Sequence, residues 1–387
     1  MFKLSNSLKL RLAKRIVWSM NMKAGETLRV RGGIVAQDLV EEVALQAMKK
    51  GVDVSISSSS NNFVKRLYDE VPIEYIRRTS KIALKTAEII DNSIRIDSDD
   101  PKIYEKISHN KISASHQAGL PISKITDRRN VKWCLVGYPT QELADYLGVG
   151  FPKIKRFILD ALLIDSKTLM NRAQIIKNAL KKADYVHITD EHGTDLKLRM
   201  VGRKILVSDG YISDEDKKEK DIGLNLPDGE VFTTPLETYA EGVLFSPKRA
   251  DIFTEKMIEG IKLVFENGKL NLNKTRAEKN EKVMKNTLKK SIALDKKTFH
   301  VVRTTNPAEL GIGLNPVINE IIGYLLTDEK IFGTIHVALG KNCNKAYGGK
   351  SNSSIHWDFV TNKGVNIEII NKNKSFMLME KGKLVKN

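Results

Sequence analysis

Residues 306–360 read NPAELGIGLNP, then DEKIFGTIHVALG, then AYGGKSNSSIHWDFV, and they carry Glu309, Asp328, Glu329, His336, His356 and Asp358 between glycines and short apolar runs. The chain has seven histidines, and two of them lie in this stretch. His356 and Asp358 stand two positions apart. On a strand, residues at that spacing project to one face, so imidazole and carboxylate would be presented together. A divalent ion with mixed nitrogen and oxygen ligands suits such a pair. From the spacing alone, a surface His and Asp flanking a buried Trp357 is the simpler alternative. His336 sits in the middle of the apolar run IFGTIHVALG, where a lone imidazole is more often a hydrogen-bonded core residue. Two such histidines, with His-x-Asp and Glu309 and glycine-rich turns beside them, point instead to a catalytic metal site that keeps one position open. Glu329 reads equally as a ligand or as the carboxylate that anchors its turn.

Several familiar signatures fail. There is no H-E-x-x-H helix. Gly349-Lys350-Ser351 ends like a phosphate-binding loop, but Asn344 stands where the leading glycine belongs, and Gly311-Ile312-Gly313 lacks the third glycine of a dinucleotide fingerprint. Cys343 has no histidine partner that sequence can supply and reads as a small core or rim residue. Asn352-Ser353-Ser354 is a formal glycosylation sequon, without meaning in a cytosolic chain.

The elements that must position these residues follow from periodicity. Leu4, Leu8, Leu12 and Ile16 recur at helical spacing and predict a first amphipathic helix. A short strand at 27–31, a helix over 34–50 stopped by Gly51, and the alternating strand VDVSIS form a strand–helix–strand unit. It continues with a helix at 74–91, the strand SIRIDS, a helix at 101–116, and VKWCLVGYPT, whose apolar run predicts a strand buried on both faces. Thr140 is placed to cap the next helix. This alternation predicts an open, mostly parallel α/β sheet in the N-terminal half. A helix over 157–182 bridges the halves, with a domain boundary at its centre: 1–168 and 169–387. The second half changes to short strands with turn signals at His192-Gly193 and Asp209-Gly210, which predict antiparallel hairpins. DEDKKEKD reads as a solvated loop tip, Glu230 falls at the start of a strand, and a charged helix is expected over 273–291. The C-terminal half is thus an α+β domain with antiparallel strands carrying the metal site.

A chain of 387 residues is long enough for two cores, and 41% apolar with 29% charged residues is a globular composition. No apolar run reaches membrane-spanning length, and the basic N-terminus lacks the apolar stretch and cleavage site of a signal peptide. The net charge of +17 is spread along the chain and interleaved with acids, so neither nucleic acid nor membrane is the expected partner. Two distant cysteines, Cys134 and Cys343, indicate cytoplasmic usage.

These residues resemble the M29 metallo-aminopeptidases (the aminopeptidase T and aminopeptidase S group). The likeness runs in order through GETLRV, KKGVDV, WCLVGYPTQELA, HGTDLKLRMVGR, LPDGEVFTTP, AELGIGLNP, EKIFGTIHVALG and GGKSNSSIHWDFV. It implies a metal-dependent aminopeptidase that releases N-terminal residues from peptides, working as a homodimer. Metal ligands are implied at Glu230, Glu309, His336, His356 and Asp358. Five ligands exceed one tetrahedral ion and suit two divalent ions (zinc, cobalt or manganese) that share a carboxylate and a water. Glu309 is also the candidate to carry a proton to the leaving amine. One departure stands out: members carry a tyrosine seven residues after the first of these histidines, and here that position is Cys343, with Tyr347 four residues on as the substitute. Two other readings follow from the same residues. His336, His356 and Asp358 also compose the two-histidine, one-carboxylate set of a mononuclear iron(II) ring-cleaving dioxygenase, which looks like the same fold. Cys343 is the one support for an inactive relative.

Overall fold

The computed structural model describes residues 3–343, 348–372 and 374–385. Two compact units emerge: Met1–Leu163 with Gly210–Pro227, and Ile164–Asp209 with Asp228–Asn387.

The first unit is built on a five-stranded, wholly parallel sheet. Its order is Asp53–Ser59, Thr27–Gly33, Asn92–Asp97, Lys132–Gly137 and Gly223–Leu226. The parallel sheet is therefore as expected, and helices alternate with its strands. The first helix, Asn6–Ser19, buries Leu12, Ala13, Ile16 and Val17 on one face, and Ser5 caps it by accepting from the Leu8 N–H. Thr140 likewise accepts from the Leu143 N–H at 3.0 Å and starts the helix Gln141–Leu147. Several elements differ from the expectation. The helix read over 74–91 is two, Ile73–Ile76 and Lys81–Ile89, because Ser80 caps a new start. The helix read from 101 stops at Glu105 and restarts as His109–Arg129, again at a serine cap, Ser108. Lys132–Gly137 is not buried on both faces, since Trp133 is 47% exposed.

Asp209-Gly210 does not turn a hairpin. From there the chain enters the first unit, where Gly223–Leu226 adds to the parallel sheet beside Lys132–Gly137. The segment DEDKKEKD is not a bare loop tip either. Ser213 and Asp216 form a reciprocal capping box that sustains the short helix Asp214–Glu219.

The second unit holds two antiparallel sheets, as the hairpin signals require. The eight-stranded one contains the hairpin Tyr185–Thr189/Asp195–Arg199, turned at His192-Gly193 as expected. The five-stranded one runs His356–Val360, Ile335–Gly340, Pro307–Gly313, Glu230–Thr233 and Ile205–Ser208. The charged helix is Glu281–Phe299, later than the range read for it. Val231, Leu310, Ile312, Ile335, Val337, Leu339, Trp357 and Phe359 from the five-stranded sheet enter one apolar core with Val186, Ile188, Leu196 and Ile367 of the eight-stranded sheet. Full burial of each large side chain there contributes about 1.5–3 kcal/mol. No helix among the described residues is long and apolar enough to cross a membrane.

Candidate metal centre

The period of two along a strand decides what the other face of the five-stranded sheet carries. With Leu310 and Ile312 turned into the core, Glu309, Gly311 and Gly313 face the opposite way. Across the ladder, Gly311 is opposite His336, Gly313 opposite Glu230, Ala338 between Glu309 and Asp358, and Gly340 opposite His356. Every ionisable side chain on this face is therefore paired with a glycine or alanine. The small residues are required by the crowding. A Cβ on Gly311 would come within 2.0 Å of the His336 imidazole, and one on Gly313 within 2.1 Å of the Ile331 carbonyl.

All five residues expected as ligands meet on this face. His336 Nε2 lies 3.2 Å from Glu309 Oε1 and 3.7 Å from Glu230 Oε2. His356 Nε2 lies 3.2 Å from Asp358 Oδ1 and 3.7 Å from Glu309 Oε2. Glu309 thus turns one oxygen toward each imidazole. His356 Nδ1 is 2.8 Å from the Lys341 carbonyl, to which it donates, so its Nε2 is the lone-pair nitrogen of the neutral ring. Donor atoms group into two triads, Glu309–His356–Asp358 and Glu329–His336–Asp358, with atoms within 4.8 Å of one another in each. Glu329, left open between ligand and anchor, stands in the second triad. Tyr347 lies outside the described residues. Cys343 is exposed and donates to Asn352 Oδ1 at 3.5 Å.

Lys330 is the residue that sequence reading missed. Its side chain is fully buried, with Nζ 2.6 Å from Glu230 Oε1 and 3.3 Å from Glu329 Oε2. The turn Leu325–Asp328 delivers it. Asp328 accepts from the Ile322 and Gly323 N–H groups at 3.1 and 2.7 Å, and the Lys330 carbonyl accepts from the Asn315 N–H at 2.7 Å. A lysine inside DEKIFG carries no local mark of burial.

Charge is concentrated here against the pull of desolvation. Burial disfavours charge on His336, yet the Glu309, Glu329 and Glu230 carboxylates win and push its pKa up to about 9. Burial likewise opposes charge on His356, but Asp358 and Glu309 raise it to about 10. Asp358 is held well below the usual carboxylate range: burial would raise it, and His356 beside it outweighs that. Burial raises Glu230 and Glu329 in spite of Lys330.

A metal fits these residues. Glu230 Oε2 and His336 Nδ1 are buried without a hydrogen-bond partner, a costly state for ionisable groups. Bonds of about 2.0–2.2 Å put tetrahedral ligand atoms roughly 3.4 Å apart. The separations of 3.2 and 3.7 Å bracket that figure.

Two clasps hold the segment that leads into His356. Asp295 accepts from the Arg303 and Thr304 N–H groups (3.0 and 2.8 Å), the Thr304 and Ser353 hydroxyls (2.8 and 2.9 Å) and the Ser354 N–H (2.7 Å). Glu237 accepts from Asn342 Nδ2 at 3.1 Å and the Lys350 N–H at 2.7 Å, and pairs with Arg203.

The sequence profile described as thermophilic metalloprotease (M29) matches residues 10–384. No curated protein matches the chain. Among solved structures, wild-type AmpT from Thermus thermophilus is similar with a TM-score of 0.77 and 18% identity, over 98% of this chain and 99% of that one. A 2,5-dihydroxypyridine dioxygenase from Pseudomonas putida is similar with a TM-score of 0.60 and 14% identity, over 100% of this chain and 99% of that one. At these identities the two structures show a shared fold.

Proposed function

The chain belongs to the thermophilic metalloprotease (M29) family, and from that premise we propose that it is an aminopeptidase whose centre holds two divalent ions and acts on peptides with a free N-terminus. The observation that carries the two-ion reading is Glu309, with Oε1 toward His336 and Oε2 toward His356. One ion would be held by His356, Asp358 and Glu309, the other by His336, Glu230 and Glu309, with Glu329 and the shared Asp358 at its edge. When bound, such ions lower the pKa of a water toward neutrality and polarise the scissile carbonyl. The chain's own part is to fix the ligands on a rigid sheet and keep the imidazole of His356 in one tautomer through the Lys341 carbonyl. Glu309 is proposed as the bridging ligand. The proton-carrier role that the sequence also offers it competes with ligation, and both roles need its carboxylate. Tyr347 remains the proposed substitute for the family tyrosine.

A mononuclear iron site on His336, His356 and Asp358 is the second reading, favoured by the two-histidine, one-carboxylate set itself. The presence of Glu230 and Glu309 within 3.7 Å of the imidazoles weighs against it, because a mononuclear site needs neither. Zinc, cobalt or manganese suits the donors, and Cys134 and Cys343, both free thiols, support a cytoplasmic setting. A homodimer rests on the family likeness. Hydrolysis of aminoacyl p-nitroanilides by metal-loaded protein, abolished by chelation and restored by added ion, tests the proposal. Absence of hydrolysis together with oxygen consumption on a hydroxypyridine would reject it.

A further inference from the structure

The two triads of the centre are not equivalent, because a cation of the chain already stands against one of them. Lys330 Nζ contacts Glu230 Oε1 and Glu329 Oε2, and both carboxylates belong to the His336 side. It has no such contact with Glu309, His356 or Asp358. Glu230 is thereby split between two tasks: Oε1 is held by the ammonium, while Oε2 is one of the buried oxygens without a partner. A bidentate grip of Glu230 on an ion would require breaking the Lys330 pair.

The charge balance points the same way. With the imidazoles neutral, as ligands, the buried carboxylates Asp228, Glu230, Glu309, Glu329 and Asp358 face two permanent cations, Lys330 against Glu230 and Glu329 and Arg249 beside Asp358, leaving an excess of about three negative charges. A first divalent ion lowers that excess to about one, and a second overshoots neutrality. Without the lysine, two divalent ions would balance the remaining excess of about four negative charges. At buried sites such imbalance is poorly screened.

We propose that Lys330 is a resident cation on the His336 side of the centre. A divalent ion entering there competes with an ammonium for Glu230 and Glu329, whereas the His356 side fills first and more tightly. The proposal rests on the two-ion reading above. It makes one ion permanent and the other exchangeable, with occupancy of the second set by free metal concentration.

Calorimetric titration of the full-length, metal-free protein with Co²⁺, and separately with Zn²⁺, tests it in the wild type and in Lys330→Met and Lys330→Gln. The wild type is expected to show two steps whose affinities differ by about 100-fold or more. Both variants should tighten the weaker step by at least about tenfold and leave the stronger one within about threefold. Lys330→Arg keeps the charge and should keep the gap. A weaker step that is unchanged or loosened in Lys330→Met and Lys330→Gln overturns the proposal while leaving two-ion binding intact. Removing the lysine leaves two buried carboxylates unpaired, and these variants could fail to fold without metal. The wild type then decides alone, since two equal steps overturn the proposal. A single ion in every protein overturns this inference and the two-ion reading together.

Discussion

Gly311 and His336 face each other across two strands, and the imidazole occupies the space a side chain at 311 would need. Gly311→Ala must push that ring away from Glu230 and Glu309. Its expected effect is a loss of metal affinity of about 10–100-fold, the range seen when ligand orientation is disturbed. Calorimetry on the variant checks this, and unchanged affinity would show that the ring has room to yield. Glu309→Gln removes a charge between the imidazoles and should lower turnover on aminoacyl substrates by about 10²–10⁴-fold; near-wild-type turnover would reject both roles proposed for Glu309. At this scale the sequence is readable in part. His336 declares itself as a lone imidazole in an apolar strand, and His-x-Asp by its spacing. Lys330 does not, because a lysine two residues from a turn looks the same whether its ammonium meets water or two carboxylates. Gly311 is visible only as a glycine until the strand register shows which ring it admits.

Proton linkage also belongs to the residue scale. In metal-free protein His336 and His356 have raised pKa values, about 9 and about 10. Their protonated pairs stabilise the fold fully below the unfolded-state value of about 6.5, and that contribution is lost as pH rises through 9 to 10. The melting temperature of chelator-treated protein is therefore expected to fall between pH 7 and 10. Metal must displace the same protons, so its apparent affinity should rise over that window. A melting temperature that rises with pH in chelator would contradict the assigned charge states.

Among the elements, the helix Glu281–Phe299 has a task beyond packing. Asp295 on its buried face collects hydrogen bonds from Arg303, Thr304, Ser353 and Ser354, and so fixes the chain just ahead of His356. Asp295→Ala leaves several buried donors unmatched and should destabilise the protein by about 3–5 kcal/mol. Urea unfolding measures this; a change under about 1 kcal/mol would mean that water replaces the carboxylate. The helix is legible as a charged amphipathic stretch, but the pattern starts it earlier than the chain does. Residues 273–280 share its polarity, and a cap at Asn280 with a left-handed backbone gives no periodic signal. Ser80 and Ser108 divide two other helices in the same way, since a serine inside a polar run looks like one more surface residue.

For the whole molecule, alternation of strands and helices was enough to predict a parallel sheet in the first half, and turn signals were enough to predict antiparallel strands in the second. The excursion of Gly210–Pro227 into the first unit was not readable. Strand pairing between Trp133 and Gly223 spans ninety positions, and nothing local distinguishes it from a hairpin strand. The metal centre has the same character. Glu230, Glu309, His336 and His356 come from four strands whose adjacency is a property of the sheet, so spacing could nominate the residues while only the register could bring them together.

The most direct test of a two-ion hydrolase is metal analysis of the purified full-length chain, incubated with excess divalent ion and freed of unbound metal. About two zinc, cobalt or manganese ions per chain is the predicted result. One iron per chain, with no second ion taken up, would contradict it and point to the dioxygenase reading.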